Sequence, residues 1–231
     1  MDTGLLVVLS GPSGVGKGRV REALSAEMPD LVYAVSATTR DPRPGEVDGV
    51  HYHFLSEEEF RRRLQGGEFV EWANVYGHLY GTPGEPVRRL LREGRTVIME
   101  KDVQGARTLR GVFPEAVFVF LLPPSVEELW RRQEGRATET EESLARRRHA
   151  AAAELAEVEW YDYAVVNDDL DRAVAAVRAI ITAERCRVRR VLPRLNLPWL
   201  PESPRGEGAG SRGCGAGLRH CPIRVSGLKE R

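Results

Sequence analysis

Leu5-Leu6-Val7-Val8-Leu9 is an unbroken apolar run that ends against glycines, the pattern of a central strand buried on both faces. From Lys17 to Met28 the period changes: Val20, Ala23, Leu24 and Met28 recur at helical spacing, and Pro29 stops the helix. Short apolar runs at Thr96 to Met99, Val117 to Leu122 and Ala164 to Val166 predict further strands, each next to a helical segment. Ala145 to Trp160 and Asp171 to Ile181 are two such segments. In the second, Ala173, Val174, Val177, Ile180 and Ile181 form a sheet-facing stripe, and the pattern allows continuation through Arg190. This alternation predicts an α/β fold: a largely parallel sheet with helices on both faces.

Three stretches depart from the rhythm. Residues 36 to 83 hold Pro42, Pro44, Gly45, Gly49, the alternating run Val50-His51-Tyr52-His53-Phe54 and a short helix near Glu57 to Leu64, a small mixed excursion from the main sheet. Residues 131 to 148 are dense in arginine and glutamate and predict a solvated helical cover. From Pro193 prolines and glycines replace periodicity, which makes a flexible extension; Arg187, Arg189 and Arg190 before it suit a basic, solvated helix end.

At 231 residues the chain suits one domain with excursions. The balance of 34 basic and 34 acidic residues gives no general attraction to nucleic acid. Cys186, Cys214 and Cys221 all fall late and make no disulfide scaffold for the main domain, and the N-terminal apolar run is too short to span a bilayer. A cytoplasmic protein without membrane or nucleic-acid partners is the expectation.

Gly11-Pro12-Ser13-Gly14-Val15-Gly16-Lys17 carries the spacing of a phosphate-binding loop between a strand and a helix. Its glycines let backbone N–H groups curl around phosphate, and Lys17 brings a positive charge to the β and γ phosphates. The next residue, Gly18, has no hydroxyl for magnesium, so no protein metal ligand is assigned. Mg2+ is expected to travel with the nucleotide, held by phosphate oxygens and waters that Asp102 helps to orient. Arg132, Arg136 and Arg147 are spaced so that two helical pieces can turn them into one cleft and clamp phosphate oxygens.

Gly11 to Lys17, Ser36-Ala37-Thr38-Thr39-Arg40, Arg43-Pro44-Gly45-Glu46, Gly49-Val50-His51-Tyr52, Tyr80-Gly81-Thr82, Asp102-Val103-Gln104-Gly105 and Asn167-Asp168-Asp169 occur in the order found in guanylate kinases. Over roughly residues 5 to 190 the chain resembles that family. The resemblance implies a P-loop nucleoside monophosphate kinase-like fold spanning 1–190: a core (1–35, 91–126 and 151–190), a GMP-binding excursion (36–90) and a helical lid (127–150), with 191–231 as the extension. It implies ATP bound by Gly11 to Gly18 with Asn167 on the adenine side. Ser36, Arg40, Arg43, Tyr52 and Tyr80 would contact the GMP phosphate, and Glu71, Thr82 and Asp102 would recognise guanine. Lys17, Arg40, Arg132, Arg136 and Arg147 would carry catalysis.

The chemistry is consistent with those roles. Arginines supply forked donors and tyrosines hydroxyls, while a carboxylate accepts from guanine N1–H and the exocyclic amine, a donor pair that adenine lacks. The chain departs from the family at Gly18, at Glu100 where an aspartate is common, and in the lid at Gln133, Ala137 and Thr138-Glu139-Thr140. Asp168 and Asp169 equally suit capping of the following helix. A related kinase for another small phosphate, or a noncatalytic binding module of the same fold, are the competing readings.

Overall fold

Strand β1 (Leu5–Ser10) is buried along its whole length, as its unbroken apolar run predicts. It is the middle of a five-stranded sheet with β2 (Leu31–Tyr33), β7 (Thr96–Glu100), β8 (Val117–Leu122) and β9 (Tyr163–Val166), in the order β2-β7-β1-β8-β9 with every pair parallel. The structure, a computed structural model, describes residues 4–75, 77–134 and 151–195.

The two-residue repeat of β1 divides the core. Leu5, Val7 and Leu9 pack with Val20 and Leu24 of α1 (Lys17–Glu27) and with Ala173, Val174, Val177 and Ile181 of α6 (Leu170–Arg185). Leu6 and Val8 face the other way, against Val87 and Leu91 of α3 (Gly84–Arg92) and Ala106 and Leu109 of α4 (Val103–Val112). Helices therefore cover both faces, and the strands end together at one edge, where open α/β sheets place their ligands.

Between β2 and α3 the chain builds a second sheet from β3 (Ser36–Thr38), β4 (Tyr52–Phe54), β5 (Phe69–Val75) and β6 (His78–Pro83), in the order β4-β3-β6-β5. The β3/β4 pair is parallel; the β3/β6 and β5/β6 pairs are antiparallel. Its small core is Ala37, Phe60 and Leu79, with Phe60 of α2 (Glu57–Gln65) stacked on Phe69 at 4.4 Å between ring centroids.

Three sequence expectations are corrected. The strand drawn from Val50 begins only at Tyr52: a turn takes up Gly49, at φ +74°, Val50 and His51, and Val50 is exposed. The second sheet ends at Pro83, as the residue pattern predicts and short of the bound of 90 that the resemblance implies, because α3 already packs on the main sheet. The last long helix stops at Arg185; Arg187 leaves the helical conformation, and a short helix runs Val188–Val191. That break carries Arg190 inside, where its guanidinium donates to the carbonyls of Gly4, Glu115 and Glu184. Arg190 is thus a buried strut and not part of a solvated helix end. The lid residues 135–150 and the extension beyond 195 lie outside the described residues.

Candidate active site

The loop between β1 and α1 curls through positive φ at Gly11, Gly14 and Gly16. Gly16 is required twice over: it sits at φ +99°, and a Cβ there would lie 2.6 Å from Asn167 Nδ2. Asn167, just past β9, donates that amide to the Val15 carbonyl at 2.7 Å. The residue expected on the adenine side thus also fastens the loop. Lys17 Nζ donates to the carbonyls of Gly11 (2.6 Å) and Pro12 (3.2 Å), so the ammonium lies across the loop it serves.

Gly14, Gly16, Lys17 and Asn167 line a cleft of about 930 Å³ together with Gly18, Arg19, Glu100 and Arg132. Arg132 projects from α5 (Val126–Glu134), bonded to Glu128 Oε1 at 2.7 Å and to the Asn167 carbonyl at 3.3 Å. Asp168 and Asp169 stand at the same rim. Asp169 caps α6 through the Arg172 N–H, as the capping reading predicts, whereas Asp168 does not cap and pairs with the Arg172 guanidinium. Arg136 and Arg147 lie outside the described residues.

A second cleft, of about 690 Å³, opens between the two sheets. At one end Arg40, at the close of β3, donates Nε to the Tyr80 hydroxyl (3.2 Å) and NH2 to both oxygens of Glu46 (2.9 Å each). Glu46 Oε2 also accepts the Arg43 N–H at 2.7 Å and so folds the 40–46 loop around one carboxylate. Burial opposes the charge on Glu46, but the Arg43 N–H and the Arg40 guanidinium outweigh it and hold the carboxyl below its ordinary range. Tyr52 meets Tyr80 edge to face at 5.9 Å. Burial, then Tyr80 and Glu100, push the Tyr52 phenol up, so it stays a proton donor at neutral pH.

At the other end, Glu71 of β5 is buried and accepts the Thr82 hydroxyl at 2.6 Å. Thr82 is fully buried and so acts behind Glu71, not as a wall of the cleft. Lys101 joins them: its Nζ reaches Glu71 Oε1 (2.7 Å), Thr82 Oγ1 (2.5 Å) and Ser36 Oγ (2.9 Å). Asp102 uses Oδ1 to cap α4 through the Gly105 N–H at 2.7 Å while its side chain borders the cleft.

Both clefts share Ser13, Lys17 and Glu100. At this junction Glu154 Oε2 accepts the Ser13 N–H at 3.3 Å, a carboxylate on an amide of the phosphate loop. Burial pushes the Glu154 carboxyl up, with Lys17 and the Ser13 N–H pulling it back and Asp102 adding to the rise. Glu100 stands opposite Gly18: its Oε2 lies 3.7 Å from where a Cβ on that glycine would sit and 3.6 Å from Arg21 Nε.

The structure therefore gathers Lys17, Asn167 and Arg132 at one cleft, and Ser36, Arg40, Arg43, Tyr52, Glu71, Tyr80, Thr82 and Asp102 at or behind the other. The sequence reading assigned no role to Lys101, Glu46 or Glu154. For Lys101 the available signal was an ionisable residue directly after a buried parallel strand, where the crevice opens. Glu154 gave none, because its partner is 141 residues away.

Comparison with known proteins agrees with this geometry. The guanylate kinase family model matches residues 3–184. A guanylate kinase of Caldanaerobacter subterraneus subsp. tengcongensis is 54% identical over 187 residues, 81% of this chain and 91% of that protein. One of Carboxydothermus hydrogenoformans is 47% identical over 197 residues, 85% of this chain and 97% of that protein. The crystal structure of guanylate kinase from Anaplasma phagocytophilum superposes with a TM-score of 0.68 at 33% identity, covering 84% of this chain and 93% of that one.

Proposed function

The chain belongs to the guanylate kinase family, and on that premise we propose how its two clefts divide the work: ATP in the cleft of the phosphate loop, GMP between the sheets, and the reacting phosphates meeting at Lys17. The chain is an ATP-dependent nucleoside monophosphate kinase acting on GMP. The observation that carries the division is the wall of Ser13, Lys17 and Glu100 common to both clefts. Two phosphate sites on either side of one lysine suit direct transfer, with no covalent enzyme intermediate.

In that transfer an oxygen of the GMP phosphate attacks the γ phosphorus. The new P–O bond makes GDP, the bond to the β-phosphate oxygen breaks, and ADP leaves with the electron pair. The acceptor oxygen is already anionic near neutral pH, so no general base is needed and catalysis is alignment plus charge compensation. Lys17 and Arg132 serve the donor phosphates, with Arg136 and Arg147 assigned to the same task. Arg40, Arg43, Tyr52, Tyr80 and Ser36 take the acceptor phosphate. Glu71, set by Thr82, and Asp102 accept from the guanine edge.

The donor oxygens at the junction fit a hard divalent cation: Glu100 presents its carboxylate where Gly18 has no side chain, and Asp102 borders the same space. Glu100, with Asp102 through water, would hold Mg2+, which neutralises phosphate charge when bound with ATP. Helices of the described residues are too short or too polar to cross a membrane, and a cytoplasmic enzyme using GMP and ATP as its small-molecule partners fits this reading.

The test is initial-rate formation of GDP and ADP from GMP and ATP with and without Mg2+, with AMP and a ribose phosphate as rival acceptors. One-to-one GDP and ADP, selective for GMP and dependent on Mg2+, is the expected result. Turnover of another acceptor in preference to GMP, or binding of both nucleotides without turnover, would overturn it.

A further inference from the structure

We propose that Lys101 is a positioning residue for base selection, which rests on the assignment of the cleft between the sheets to GMP. Its ammonium has three N–H groups, and three acceptors surround it: Ser36 Oγ at 2.9 Å, Glu71 Oε1 at 2.7 Å and Thr82 Oγ1 at 2.5 Å. Every proton is committed, so Lys101 has none left to give to a base or a phosphate while this network stands. It acts through Glu71.

Lys101 and Thr82 both bind the same carboxylate oxygen, Oε1. The other oxygen, Oε2, lies on the side of Gly105, where a Cβ would come within 3.3 Å of it. Two fixed bonds to one oxygen hold the carboxylate in one orientation and leave Oε2 as its acceptor for the base. The pair is enclosed, with side chains 10% and 7% exposed, so the lysine also compensates a charge that burial would otherwise penalise heavily. Asp102 borders the same cleft, and a second carboxylate there makes that compensation more necessary. An N1–H and a 2-amino group together are the chemistry that such a fixed acceptor selects; a purine lacking the 2-amino group leaves part of it unused.

The experiment compares the unaltered protein, Lys101→Met, Glu71→Gln and the double variant, measuring KM and kcat for GMP, for IMP and for ATP. For Lys101→Met the expected result is a rise in KM for GMP on the order of 10- to 100-fold, unchanged KM for ATP, and a reduced preference for GMP over IMP. The double variant should be no worse toward GMP than Glu71→Gln alone, because the lysine works through that carboxylate. The double variant leaves no unpaired buried charge, so it reads the coupling even if Lys101→Met alone does not fold. An unchanged KM for GMP, equal losses for GMP and ATP, or a double variant worse than Glu71→Gln by a further tenfold would each overturn the inference. Absence of GMP turnover by the unaltered protein would instead overturn the function on which it rests.

Discussion

The donor cleft is built from backbone and the acceptor cleft from side chains. At the donor end, glycines at positive φ bend a loop, and two side chains, Asn167 and Lys17, brace it through carbonyls. At the acceptor end, two networks do the shaping: Glu46 ties Arg40 and Arg43, and Lys101 ties Ser36, Glu71 and Thr82. A backbone site is local in sequence and tolerates loss of many side chains. A network site draws on distant strands and depends on each partner, since removing one leaves another buried and unsatisfied.

Lys17→Met should have the largest effect, because Lys17 is the cation in the wall that the two clefts share. A loss in kcat on the order of 10²- to 10³-fold with little change in KM for GMP is expected from steady-state kinetics. A comparable rise in KM for GMP would place Lys17 in the acceptor site alone.

Gly16→Ala attacks the donor end through its backbone. The positive φ and the approach to Asn167 should cost about 1–3 kcal/mol of stability in denaturant unfolding, and KM should rise for ATP but not for GMP. Glu46→Ala attacks the acceptor end through a side chain and should do the reverse. KM for GMP rises roughly tenfold, the scale of one hydrogen bond to a charged group, while KM for ATP stays put.

Glu154→Gln should have the smallest effect. Its carboxyl is raised in the folded protein, so the folded state holds the proton more readily than the unfolded one. The resulting penalty is present above the folded pKa and disappears as pH falls through it. The variant should therefore raise the thermal midpoint at neutral pH, and the gain should shrink in mildly acidic buffer.

The same contrast governs what the sequence discloses. The phosphate loop and β1 form one contiguous pattern, so the donor end is legible from ten or so residues, as are the parallel strands with their burial on both faces. Arg40 and Tyr80, 40 positions apart, are legible only as members of an ordered set of short motifs, and Glu71 only through the family resemblance those motifs carry. Lys101 escapes because one ionisable residue among many carries no period and belongs to none of those motifs; its meaning comes from Ser36, Glu71 and Thr82, which are 65, 30 and 19 positions away. The helix break before Arg190 escapes for a related reason. Its cause is the set of carbonyls at Gly4, Glu115 and Glu184 that the guanidinium reaches, and only two of the elements involved are neighbours in sequence.

The central claim, that the two clefts meet at Lys17, is tested most directly by calorimetric titration with a bisubstrate compound joining adenosine and guanosine through a chain of phosphates. The account predicts one compound per protein, bound more tightly than either ATP or GMP and competed by each of them. Binding no tighter than ATP alone, or competition by only one of the two nucleotides, would contradict it.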